Sequence, residues 1–223
     1  MSEDIQREGF LAGEGDAWFR RNASHLAAPN PIRSRIAECL AAVLRDGDEA
    51  LEIGCGNGAQ LAALFARRRV TAVGVEPSLE AVAAGRFEHP KLALHVGTSE
   101  SLPLSDASCD LVLFGFCLYL VDRALLARSV AEAGRVLRAQ GWLAILDFDP
   151  PAPLRRPYHH RPGLWSWKAD YSKLFLSDPA YHLVEKWSAS HAGLGWHDDP
   201  NERIGFWLLR KDTSLAWPEA TKL

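Results

Sequence analysis

The chain has 223 residues, 48% of them hydrophobic, enough to bury a substantial core within a single α/β unit. Its 25 basic and 28 acidic residues nearly cancel to a net charge of -3, so no global field draws it onto nucleic acid or an anionic membrane. Cys39, Cys55, Cys109 and Cys117 lack C-x-x-C spacing and read as reduced core thiols. With no basic-then-apolar leader and no long apolar run, the expectation is a cytoplasmic protein.

In chain order, residues 1–30 are polar and hold one aromatic and basic patch, Glu14 to Asn22, where Asp16 could cap a short helix. Ile32, Ile36, Leu40, Val43 and Leu44 recur at helical spacing, with Gly47 as a stop. From residue 49 to 148 strands and helices alternate. Strands are expected near 49–53, 70–75, 92–96, 109–115 and 142–148, and helices near 59–68, 79–86 and 123–138. Such alternation implies a doubly wound, mostly parallel sheet with helices on both faces. Asp149-Pro-Pro-Ala-Pro153 interrupts it, because prolines continue neither a helix nor a central strand. Runs at 181–189 and 203–210, separated by glycines and Asp198-Asp-Pro200, predict a closing antiparallel hairpin and a seven-stranded sheet in all.

The densest signal is Leu51-Glu-Ile-Gly-Cys-Gly-Asn-Gly58, followed by a strand that ends in an acid, Thr71 to Glu76. A strand that breaks into alternate glycines lets a ligand approach the backbone at a helix N-terminus. An acid about 20 residues on can accept both hydroxyls of a ribose. The spacing is G-x-G-x-G, whereas a dinucleotide site reads G-x-G-x-x-G. Glu52, just before the glycines, would repel a pyrophosphate but suits an ammonium.

On these residues the chain resembles the class I S-adenosylmethionine-dependent methyltransferases, in particular the small bacterial type with E-x-G-C-G-x-G. The resemblance extends through Gly97 to Asp110, Leu111 to Tyr119 and Val136 to Leu143, and so over roughly residues 30 to 150. Two departures stand out. Thr98 occupies a position where the family usually has an aspartate that reads adenine, and Cys109 replaces a core phenylalanine. The resemblance implies S-adenosylmethionine as cofactor and S-adenosylhomocysteine as product. It makes the chain one methyltransferase domain: a lid over 1–30, a cofactor core over 31–148, a substrate cap over 149–180, and a closing hairpin and tail over 181–223.

The cofactor is expected to meet Glu52, Gly54, Cys55, Gly56, Asn57, Gly58, Glu76, Pro77, Thr98, Ser99, Glu100 and Phe114. Gly115 and Phe116 end the fourth strand beneath the sulfonium, which an aromatic face attracts by about 0.5 to 2 kcal/mol. Core packing is the other reading of Phe116. Trp18 and Arg21, with Asn22, read either as a lid over the methionine end or as a surface helix. Asp147 and Asp149 flank Phe148, one of them facing substrate or forming an Asx turn before Pro150. Asp149, His159 and His160 are the candidate bases, the two histidines being otherwise exposed loop residues. Adjacent histidines with no nearby cysteine argue against a metal. Substrate-binding candidates are Tyr119, Arg155, Arg156, Tyr158, Arg161, Trp165 and Tyr171. Residues 150–170 carry a local excess of arginine that suits an anionic group, the alternative being a solvated loop.

The expected activity is O- or N-methylation of a small anionic metabolite, such as a nucleotide-linked sugar or a biosynthetic intermediate. No nucleic acid, membrane or metal is expected, and the protein would be a monomer or homodimer. Two rivals are a nicotinamide-dependent oxidoreductase, which would need G-x-G-x-x-G and usually Y-x-x-x-K, and a silent S-adenosylmethionine-binding protein, which would normally have lost these glycines.

Overall fold

Residues 5–214 and 216 are described by a computed structural model. Helix α1 (Ile5–Gly9), a kinked π-type turn (Phe10–Glu14) and α2 (Gly15–Ala27) precede the sheet. Asp16 does not cap its own helix. It accepts from the Ser78 hydroxyl at 2.7 Å and the Glu80 N–H at 3.0 Å, and so ties α2 to the start of a later helix. Helix α3 (Pro31–Val43) starts where Asn30 accepts the Ile32 and Arg33 N–H groups and Pro31 occupies the first turn.

The core then alternates as β1 (Glu49–Ile53), α4 (Ala59–Phe65), β2 (Thr71–Glu76), α5 (Leu79–Glu88), β3 (Ala93–Val96), β4 (Cys109–Gly115), α6 (Leu126–Val136) and β5 (Leu137–Phe148). β5 starts five residues before the expected position, because the chain turns extended at Leu137. Gln140 then adopts a left-handed conformation (φ 65°), and the pairing with β4 slips between Cys109 and Leu111. Beyond Phe148 come a separate hairpin, β6 (Leu154–Pro157) with β7 (Trp165–Lys168), and a short α7 (Ser172–Leu176). The chain closes through β8 (Tyr181–Ser190), the two-residue β9 (Gly193–Leu194) and β10 (Arg203–Lys211).

The sheet order is β3-β2-β1-β4-β5-β10-β8-β9, parallel through β5 and antiparallel from β10 onward. It has eight strands where seven were expected. The extra one is β9, whose two residues are too few for a hydrophobic pattern to mark.

Strand alternation sends side chains to two separate cores. Leu51, Val112, Phe114 and Ile145 pack toward α6 and α7, where Phe114 meets Phe175 at 6.0 Å between ring centroids. Ala50, Leu111, Leu113 and Ala144 face α3 and α4. Because β10 runs against β5, and β8 against β10, the end of β8 emerges at the same carboxyl edge as the parallel strands. That edge is where open α/β sheets bind ligands.

Candidate active site

The turn after β1 is shaped by what cannot fit beside it. Gly54 has φ 75°, and a Cβ there would fall 2.5 Å from the Cys117 Cβ. A Cβ on Gly115, at the end of β4, would collide with the Glu52 carboxylate. Gly54 therefore needs glycine for both space and backbone conformation, and a side chain at position 115 would displace the Glu52 carboxylate. Gly58 caps α4 in a left-handed conformation, while the Asn57 amide donates to Glu88 at 2.7 Å. These two residues build the turn and line neither cavity described below.

One cavity, of about 120 Å³, lies over the carboxyl ends of β1, β2 and β4. Glu76 sits in its wall with one oxygen accepting the Gly56 N–H at 3.0 Å and the other the Ser78 N–H at 2.9 Å. Burial pushes this carboxyl up to about 6, against the pull of those two N–H groups. Pro77, Thr98, Ser99 and Glu100 continue the wall. The Thr98 hydroxyl donates to Glu100 at 2.6 Å, and Arg7 of α1 stands 3.6 Å from the same carboxylate. Where the family has an aspartate at position 98, this chain supplies a buried carboxylate two residues later.

The second cavity, of about 600 Å³, opens between α2, α3 and the ends of β1, β4 and β5. Glu52 lines it, fully enclosed, and Oε2 has no hydrogen-bond partner among the described residues. Burial holds this acid well above the usual carboxylate range, opposed by Arg33, which also lines the cavity. A buried carboxylate oxygen without a hydrogen-bond partner beside the glycine turn is a place for a cation.

Four rings stand together where β4, β5 and β8 end. Phe116 lies 5.2 Å from Tyr119 and 4.9 Å from Phe148, while His191 is edge-on to both Phe116 and Phe148 at 5.9 Å. Phe116 has φ 59°, a conformation that costs a non-glycine residue about 1–3 kcal/mol and is found at functional sites. Its N–H donates to Leu146 at 2.9 Å, which fixes the turn. Just beyond it the fully buried Asp147 accepts the Tyr119 N–H at 3.2 Å, and burial pushes its carboxyl up to about 7. Trp18, Gly54, Gly115 and Phe116 line both cavities. The two spaces thus share one wall, made by α2 on one side and the end of β4 on the other.

Several expected site residues lie elsewhere. Phe114 is fully buried against Phe175 and lines neither cavity, while its β4 neighbours Leu113 and Gly115 do. Arg21 pairs with Glu14 and donates to the Tyr158 hydroxyl at 3.1 Å. Asp149 pairs with Lys186 at 3.0 Å. His159 and His160 are exposed, and His160 rests on Tyr158. Arg155 stacks on Trp165, Arg156 bonds Asn201, and Arg161 donates to the Gly9 carbonyl at 2.6 Å. The buried Tyr171 donates to the Trp167 carbonyl and accepts from Arg123 at 3.0 Å. Of the expected substrate residues, Tyr119 alone lines either cavity.

The β6–β7 hairpin is instead a buttress for the N-terminal helices. Gln6 donates to the Trp165 carbonyl at 2.7 Å and accepts the Trp165 N–H at 3.0 Å, and it also donates to the Leu120 carbonyl at 3.0 Å. Gln6, Phe10 and His191 were not foreseen. Gln6 and Phe10 line the smaller cavity and His191 the larger. A signal for His191 existed, because a residue just after β8 reaches the ligand edge once the closing hairpin is placed against β5.

S-adenosylmethionine fits these residues: an acid that can accept ribose hydroxyls, a buried carboxylate with one oxygen left for an ammonium, and two glycines, Gly54 and Gly115, in the wall between them. A family model described as a methyltransferase domain matches residues 51–145. The chain is 30% identical over 197 residues to a demethylmenaquinone methyltransferase of Tropheryma whipplei, covering 83% of this chain and 81% of that protein. It is 35% identical over 148 residues to a ubiquinone/menaquinone biosynthesis C-methyltransferase of Rubrivivax gelatinosus; that match covers 62% of this chain and spans about half, 55%, of the relative. Among solved structures, a Burkholderia thailandensis 1,6-didemethyltoxoflavin-N1-methyltransferase, with 1,6-didemethyltoxoflavin and S-adenosylhomocysteine bound, aligns with TM-score 0.71 at 15% identity. That alignment covers 95% of this chain and 92% of the other. The chain therefore belongs to the class I S-adenosylmethionine-dependent methyltransferases.

Proposed function

We propose that the protein methylates a small, flat, ring-bearing molecule on oxygen or nitrogen. The observation that carries this reading is the wall shared by the two cavities, polar and acid-lined on one side and aromatic on the other. S-adenosylmethionine, when bound, supplies a methyl group on a sulfonium that departs as a neutral thioether. Glu76 would take the ribose hydroxyls, Glu52 the ammonium, and Thr98, Ser99 and Glu100 the adenine side. Phe116 and Trp18 would stand where methyl donor and acceptor meet, excluding water and holding the acceptor in line. Tyr119, Phe148 and the ring of His191 offer flat faces and edges to an acceptor ring.

The relatives support a ring acceptor, since one is a demethylmenaquinone methyltransferase and a structural neighbour is crystallised with 1,6-didemethyltoxoflavin. The reading of a nucleotide-linked sugar held by arginines has less support, because Arg155, Arg156 and Arg161 are engaged outside both cavities. An oxidoreductase is not favoured either, the glycine spacing and the relatives both pointing to methyl transfer.

The test is incubation with methyl-labelled S-adenosylmethionine and a cell metabolite extract, followed by chromatography of labelled products. Label in aromatic or heteroaromatic compounds is the expected result. Label confined to sugar nucleotides would overturn the ring-acceptor reading.

A further inference from the structure

We infer that His191 is the general base of the reaction, taking the proton of a phenol-like hydroxyl on the acceptor. This rests on the ring-acceptor reading above and assigns the proton step, which that reading leaves open. The geometry that supports it is local. His191 follows directly on β8 at the carboxyl edge, lines the larger cavity, and is held edge-on by Phe116 and Phe148. Phe116 belongs to the wall shared with the cofactor cavity, so the imidazole flanks the ring beside which methyl transfer would occur. The other side of His191 is exposed, which gives the accepted proton a direct route to water.

The other foreseen bases lack this position. Asp149 is held by Lys186, while His159 and His160 stand outside both cavities. Asp147 is completely enclosed and committed to the Tyr119 and Phe148 N–H groups. Around His191, partial desolvation by the packed rings favours the neutral imidazole. Lys168 on β7 acts in the same direction, and Glu202 ahead of β10 opposes it. Tyr119, Glu52, Cys55, Arg33 and His25 are the remaining titratable groups lining the cavity. A neutral imidazole near pH 7 is the form that can accept a proton.

In the step itself the acceptor O–H bond breaks and its electron pair stays on oxygen, while the proton forms an N–H bond on the imidazole. The oxygen bonds the methyl carbon as the carbon–sulfur bond breaks, its pair going to sulfur. The positive charge lost from the sulfonium is then carried by the imidazolium until that proton passes to water.

The proton step can be read without turnover, using 4-nitrophenol as a probe whose phenolate absorbs near 400 nm. With the protein saturated in S-adenosylhomocysteine at pH 6, bound dye should show a measurable phenolate fraction, above that of the free dye at the same pH. In His191→Gln, and separately in His191→Asn, it should remain the neutral phenol, with S-adenosylhomocysteine affinity unchanged within about twofold, which also shows that the variants are folded. Equal ionisation in wild type and both variants, or no binding of dye by the loaded wild type, overturns the assignment. Loss of S-adenosylhomocysteine binding by the wild type would instead overturn the cofactor reading on which it rests.

Discussion

The cofactor half and the acceptor half of this site are built in different ways. The cofactor wall comes from short loops at the ends of adjacent parallel strands, so Glu52, Gly54 and Glu76 fall within 25 consecutive residues and their spacing is set by the strand–turn–helix unit. The larger cavity, proposed to take the acceptor beyond Glu52 and the glycine turn, gathers α2, α3, the turn after β4, Phe148 and the turn after β8, segments far apart in sequence. A local unit leaves a motif in the chain, and a site assembled by tertiary packing does not. Substitutions in the first region should therefore act on cofactor binding through single contacts. Those in the second should alter turnover with little effect on the cofactor.

The largest expected effect is at Gly54. An alanine would bear a left-handed conformation, at about 1–2 kcal/mol, and would overlap Cys117, with overpacking adding about 1–3 kcal/mol. Gly54→Ala should lose measurable S-adenosylhomocysteine binding in calorimetry and lower the urea midpoint; near-native values in both would mean that the turn is not the constrained element. Glu76→Ala comes next, removing charge-assisted hydrogen bonds and weakening S-adenosylhomocysteine by about 1.5 to 3 kcal/mol.

Stability against pH should respond on a similar scale. Glu76 and Asp147 are pushed by burial up to about 6 and about 7, and Glu52 well upward, so the folded state binds these protons more tightly than the unfolded chain does. Ligand-free stability should consequently fall, by on the order of a few kcal/mol, as pH rises from about 4.5 to 7.5. Glu132, held down to about 2 by Arg135, contributes stability that is lost only in stronger acid, outside this window. Urea unfolding at the two pH values checks the sign, and a rise would contradict it. The smallest effect belongs to the hairpin: Arg155→Ala with Arg156→Ala should leave S-adenosylhomocysteine affinity and methyl transfer within about twofold, since neither side chain lines a cavity.

Much of the fold was legible in the chain because hydrophobic period and glycine breaks agree along β1 to β5, and because a proline cluster marks their end. The boundary at Leu137 was not, since nothing local forbids α6 from continuing; the pairing with β4 decides it. Phe114 packs into the core while its neighbours Leu113 and Gly115 line the larger cavity, because successive strand side chains point to opposite faces. The arginines and aromatic rings of residues 149–171 correctly signalled a cluster, but composition does not reveal what a cluster faces. Here the rings and guanidiniums satisfy one another and the N-terminal helices. His191 lay in a turn whose neighbours, Ser190 and Ala192, carry no pattern, and it becomes visible only once β8 is placed in the sheet.

The central claim is that Glu52, Glu76 and the glycine turn between them hold S-adenosylmethionine, and calorimetric titration of the wild-type protein with S-adenosylhomocysteine, with NAD as the control, tests it most directly. The account predicts saturable one-site binding of S-adenosylhomocysteine, weakened in Glu76→Ala, and no heat from NAD. Binding of NAD in preference to S-adenosylhomocysteine, or S-adenosylhomocysteine affinity indifferent to Glu76, would contradict it.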